Sequence, residues 1–119
     1  MKPGARSNHP QEQFHLAMLA LYDTCAGLGF RPVLFRRYVI LNGGVAAAKE
    51  LVFKPGTTGL ERLNDLGRSE VSMEATMLQS EFQPLFTAGE LKEARERLAS
   101  ANRTRSRGRL TAQPTERRS

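Results

Sequence analysis

Apolar side chains recur along this chain at helical spacing. Phe14, Met18, Leu21 and Cys25 follow at intervals of four, three and four; Leu16, Leu19 and Tyr22 widen the stripe, and Gln11, Glu12, Asp23 and Thr24 lie off it. That period predicts an amphipathic helix. Pro10 suits a first helical turn and Gly27 and Gly29 suit an end, so the helix spans residues 10 to 26. Arg31-Pro32 opens a second helix in which Val33, Leu34, Phe35, Tyr38, Val39, Ile40 and Leu41 are apolar nearly all round, with Arg36 and Arg37 its only wet face. A helix of that kind is expected at the centre of a bundle, although Tyr38 to Leu41 alone also fits a short strand. Asn42-Gly43-Gly44 ends it, and a third helix over residues 45 to 53 follows.

Lys54-Pro55-Gly56-Thr57 reads as a turn, and Thr58-Gly59-Leu60-Glu61 as a capping box, in which hydroxyl and carboxylate satisfy the free amides at a helix start. Leu60, Leu63 and Leu66 mark the inner side of a short fourth helix ending at Gly67. Ser72 caps a fifth that carries Met73, Thr76, Met77 and Leu78 until Pro84 forbids continuation. Thr87-Ala88-Gly89-Glu90 is a second capping box; it opens a sixth helix with Leu91, Ala94, Leu98 and Ala101 inward and Lys92, Glu93, Arg95, Glu96 and Arg97 toward water.

After Ala101 the apolar period stops. Residues 102 to 119 hold six arginines (Arg103, Arg105, Arg107, Arg109, Arg117 and Arg118) against Glu116, so they carry +5 of the chain's net +6. With Leu110 as its only large apolar side chain, this segment cannot offset the entropy of ordering and is expected to be disordered when free. The chain therefore divides into a flexible N-terminal arm (1 to 9), a helical domain (10 to 101) and a disordered arginine-rich tail (102 to 119). The expected fold is all-α, a compact bundle of about five to six short helices with a disordered basic C-terminal tail. A core of Leu, Ala, Val and Met with no Trp and eight aromatics fits that class.

Several short strings share a pattern: Gly43-Gly44-Val45-Ala46-Ala47-Ala48, Gly59-Leu60-Glu61-Arg62-Leu63, Gly67-Arg68 with Glu74-Ala75, and Pro84-Leu85-Phe86-Thr87 with Glu90-Leu91 and Ala94-Arg95. Together they resemble a small all-helical bacterial family in which GG-x-x-A-A, GR-x-D-x-T-x-E-A and LFT-x-E-L-x-x-A-R segments recur. The likeness spans residues 14 to 98. It implies a helical fold and little else, and it carries no functional residue over. The chain departs from the pattern at Asn64, near which the family has Trp, and at Ser69-Glu70-Val71.

Candidate chemistry is sparse. His9 and His15 are the only histidines, and Glu12 with His15 gives one E-x-x-H pair, where a di-iron bundle needs two plus further carboxylates. His15 then reads as a histidine on a partly wet helix face. Cys25 has no disulfide partner and reads as a small buried hydrophobe, with a reactive thiol as the alternative. Ten residues from His15 on one helix, it lies roughly 15 Å along the axis, beyond the reach of a nucleophile and base pair. No phosphate-loop or dinucleotide-binding glycine motif occurs. Lys54 to Gly59 could hold an anion ahead of a helix, although the capping box already accounts for Thr58 and Glu61. Phe35 to Phe53 invites a helix-turn-helix reading, but its second helix offers base edges little beyond Lys49 and Glu50, so a packed helix hairpin is the better account.

The arginines are left. Arg103, Arg105, Arg107 and Arg109, spaced by small residues, suit successive phosphates, with Arg36 and Arg37 as an extension of the basic surface. The expected function is a non-enzymatic module contacting nucleic acid nonspecifically through this tail. The alternative is an adaptor whose helical body holds a protein partner, in a groove sought first around Arg36 and Arg37, while the tail is only solubilising. An enzyme acting on a phosphorylated ligand near Lys54 and Thr57 ranks last. No cofactor or metal is expected. The N-terminus has no secretory-length apolar run and no window reaches a membrane span, which predicts a cytoplasmic location.

Overall fold

The computed structural model describes residues 9 to 112, with side chains to residue 101. Among the described residues every regular element is helical: α1 (Pro10–Gly27), α2 (Val33–Asn42), α3 (Gly44–Leu51), α4 (Leu60–Asp65), α5 (Met73–Met77) and α6 (Ala88–Ala112). Short 3-10 turns, Ser69–Val71 and Gln83–Leu85, join the last three. The all-α expectation holds, and Tyr38 to Leu41 is helix, not strand.

The stripe on α1 builds the core. Phe14, Met18, Leu21 and Cys25 are all buried, facing Phe35 and Val39 of α2, Ala47, Ala48 and Leu51 of α3, and Met73 and Met77 of α5 in one cluster. Phe14 meets Phe82 and Phe86 edge-on, each at 5.2 Å between ring centres. That geometry sets the positive ring edge against the negative face. Ala94 of α6 closes the same cluster, and α6 packs chiefly against α4 and α5. Lys49 Nζ, 3.0 Å from Glu90 Oε1, ties α3 to the start of α6.

Two expected caps form. Ser72 Oγ accepts from the Ala75 amide at 3.1 Å. In the second capping box, Thr87 N–H donates to Glu90 Oε1 at 2.9 Å and Glu90 N–H to Thr87 Oγ1 at 3.1 Å. The first box does not form. Helix α4 begins at Leu60 with no side-chain cap, because the Thr58 hydroxyl is turned inward to the Glu74 carboxylate, 2.9 Å from Oε2.

Three boundaries differ from the pattern. Helix α5 stops at Met77, well short of Pro84, which sits instead inside the 3-10 turn. Leu66 falls after the end of α4 and is exposed, leaving Leu60 and Leu63 as its inner residues. Helix α6 continues beyond residue 101 to Ala112. Arginine is a good helix former, and Pro114 two positions later disfavours helix in the residue before it. Residues 1 to 8 of the N-terminal arm and 113 to 119 of the tail, Arg117 and Arg118 among them, lie outside the described residues.

Gly43 alone separates α2 from α3, at φ 90° and ψ 154°, a conformation that strains any residue with a Cβ. Gly44 then presses against α1: a Cβ there would lie 2.6 Å from His15 Cα. Its amide donates to His15 Nδ1 at 2.9 Å. A histidine of one helix thus caps the start of another.

Candidate partner-binding face

Helix α2 is not the centre of the bundle. It packs against α1 and α3 through Phe35 and Val39, its only buried residues, while Val33, Leu34, Ile40 and Leu41 remain 62, 59, 53 and 72% exposed. The uniform apolarity of its sequence has two sources, an inner edge that packs on the core and an outer face open to solvent. The core's centre belongs to α1, whose stripe contacts α2, α3 and α5.

Helical spacing groups the outer residues. Val33, Leu34, Ile40 and Leu41 stand at minus four, minus three, plus three and plus four from Arg37, so the exposed Arg37 is ringed by four aliphatic side chains on one face. Among the described residues, no ion pair or hydrogen bond joins the Arg37 side chain to another residue. Arg36 lies along the α1 edge with its guanidinium carbon 5.1 Å from the centre of the Tyr22 ring. Tyr22, Val33, Arg36, Arg37, Ile40 and Leu41 border a shallow groove of about 300 Å³. The groove lies around Arg36 and Arg37, where the sequence pattern points to one.

The remaining candidate arginines sit elsewhere. Positions 103, 105, 107 and 109 fall on the backbone of α6, which packs chiefly with α4 and α5, whereas Arg36 and Arg37 belong to an element packed on α1 and α3. The two basic groups therefore occupy different elements with no main packing interface in common.

Other candidates are engaged within the fold. Lys54 pairs with Glu50 at 3.0 Å and Thr57 Oγ1 donates to the Lys54 carbonyl, while Thr58 is buried against Glu74. In the helix-hairpin segment, Lys49 is held by Glu90, and Ala47, Ala48 and Leu51 face inward. Cys25 is fully buried, and burial pushes its thiol pKa up, away from reactive thiolate character. Among the described residues no group of three or more His, Cys, Asp and Glu could hold a metal ion. No helix among them is long and apolar enough to cross a membrane.

One buried polar cluster was invisible in the sequence. Glu74 is 1% exposed and, among the described residues, the Thr58 hydroxyl is the one side-chain donor to its carboxyl group. Burial drives its pKa upward against that bond and the field of Arg97. Arg97 is itself drawn to Glu93, with Nε 3.4 Å from Oε2, and forms one wall of a second cavity of about 310 Å³ between α4 and α6. Asn64 of α4 crosses that wall to donate to the Ala101 carbonyl at 2.8 Å.

Comparison of the chain with protein-family models, with curated proteins and with solved structures finds no match.

Proposed function

We propose that this chain is a non-enzymatic binding module whose helical body holds a partner protein on the outer face of α2. The observation that carries this reading is the exposure of Val33, Leu34, Ile40 and Leu41 on one side of a single ten-residue helix. Single exposed leucines are ordinary, but a contiguous apolar cluster on a small protein marks a surface that another molecule covers. Replacing Leu34 and Leu41 together by Asp tests it. The double variant should keep its helical circular dichroism and lose its partner in co-purification from its native cells; a variant that retains every partner of the parent chain rejects the reading.

A second reading has its own support. The concentration of +5 net charge in residues 102 to 119 favours nonspecific contact of Arg103, Arg105, Arg107 and Arg109 with nucleic acid phosphates, in a cytoplasmic setting. Changing these four arginines to Gln in the full chain should weaken duplex binding at low salt and flatten its salt dependence. Equal affinity and equal slope for parent and variant reject it.

A further inference from the structure

The α2 face is not uniformly greasy, and its one charged position narrows what can cover it. Arg37 stands in the middle, with Val33 and Leu34 one turn before and Ile40 and Leu41 one turn after. A molecule that covers those four aliphatic side chains along the length of α2 also lies over Arg37 and restricts the access of its guanidinium to water. No carboxylate among the described residues reaches it. A guanidinium buried without a counter-charge offsets much of what the surrounding apolar contact returns. Resting on the docking reading above, we infer that the occupant is an amphipathic helix of another protein that presents an Asp or Glu carboxylate to Arg37 from within its own apolar stripe.

Charge disfavours the simplest rival, a second copy of this chain paired α2 to α2. The midpoint of Val33–Asn42 falls between Arg37 and Tyr38. Two α2 helices crossed about a two-fold axis would therefore bring Arg37 against its own symmetry mate, with Arg36 close by. Like charges would meet at the centre of the contact. An anionic membrane is disfavoured by the same residue, since interfacial helices keep cations at the rim of the buried face, and here the cation is at its middle. Nucleic acid would satisfy Arg37 with a phosphate but leave four aliphatic side chains against water and charge. A carboxylate among apolar side chains satisfies both, and the bidentate geometry of a guanidinium favours it. Arg36, stacked on Tyr22, flanks the groove and suits a second acid at the partner's edge.

The test uses the full chain in the cells that natively make it, with a photo-crosslinking amino acid at Leu41 and sequencing of the joined peptide. The expected product is a segment of another protein with apolar residues at helical spacing around an Asp or Glu. Arg37→Glu should cut the yield at least tenfold, and changing that partner acid to Lys should restore it in the Arg37→Glu background. A joined protein that is insensitive to Arg37→Glu, or whose segment carries no acid, overturns the carboxylate and leaves the docking face standing. A product joined to a second copy of the chain, or flotation with anionic vesicles that Leu41→Ser abolishes, overturns the inference in favour of that occupant. Absence of any joined protein overturns the docking reading and the inference together.

Discussion

Gly44 of α3 lies against His15 of α1, amide nitrogen to Nδ1 at 2.9 Å, so closely that a methyl group on Gly44 would stand 2.6 Å from the His15 Cα. The obstacle is backbone, which cannot swing aside as a long side chain would. Gly44→Ala should therefore destabilise by about 2 to 3 kcal/mol, in the range of overpacked cores. At an uncrowded helix interior the same change stabilises by up to about 1 kcal/mol. The sign of the shift in urea midpoint reads the crowding directly.

His15 accepts through Nδ1, so in this arrangement its ring proton is on Nε2. His15→Leu keeps bulk beside α3 but leaves the Gly44 amide without an acceptor at a half-buried site. A loss of about 1 to 3 kcal/mol is expected, the cost of an orphaned backbone donor. Unchanged thermal stability of His15→Leu would contradict the cap.

Glu74 makes stability depend on pH with an unusual sign for a carboxylate. Its folded-state pKa is raised above the ordinary 4.5 by burial, so across the interval between the two values the folded chain holds a proton that the unfolded chain has released. The contribution of Glu74 is then fully present at acid pH and is lost as pH rises through the folded value. Glu74→Gln removes the charge while keeping an acceptor for Thr58. The variant should melt above the parent at neutral pH, with the difference closing as pH falls toward 4.5. A constant difference at all pH values would show that the carboxyl is not titrating in this interval.

The two leucine environments on neighbouring helices can be compared by one substitution. Leu51→Ala of α3, where the side chain is 1% exposed, should cost about 2 to 5 kcal/mol. Leu41→Ala of α2, at 72% exposure, should change stability by less than about 0.5 kcal/mol. A large effect at Leu41 would mean that the outer face of α2 is packed within the chain and is not a free surface.

Much of this architecture could be read from local rules. The stripe from Phe14 to Cys25, the Ser72 cap and the Thr87–Glu90 box depend on residues within a turn or two of each other, and each forms as its spacing requires. The failures are long-range. Thr58 abandons its local box for Glu74, sixteen positions away, and His15 caps a helix twenty-nine positions away. Neither pairing leaves a periodic trace. Helix α2 misleads for a related reason: period and hydrophobicity cannot separate a helix surrounded by its own protein from one with an apolar face left open to solvent. Arg36 and Arg37 mark the outward side of α2 in the sequence, but they do not show that this side is itself mostly aliphatic.

The single-residue link at Gly43 bears on how such a surface would behave. Because α3 is locked to α1 at Gly44 and only one peptide unit separates it from α2, the Arg37 face has little freedom to reorient before an encounter. Association would then proceed by rigid-body fit, with most of the ordering cost falling on the incoming helix. Lengthening the link by inserted glycines would turn a fixed platform into a hinged one, slowing productive capture even with every side chain of the face left in place.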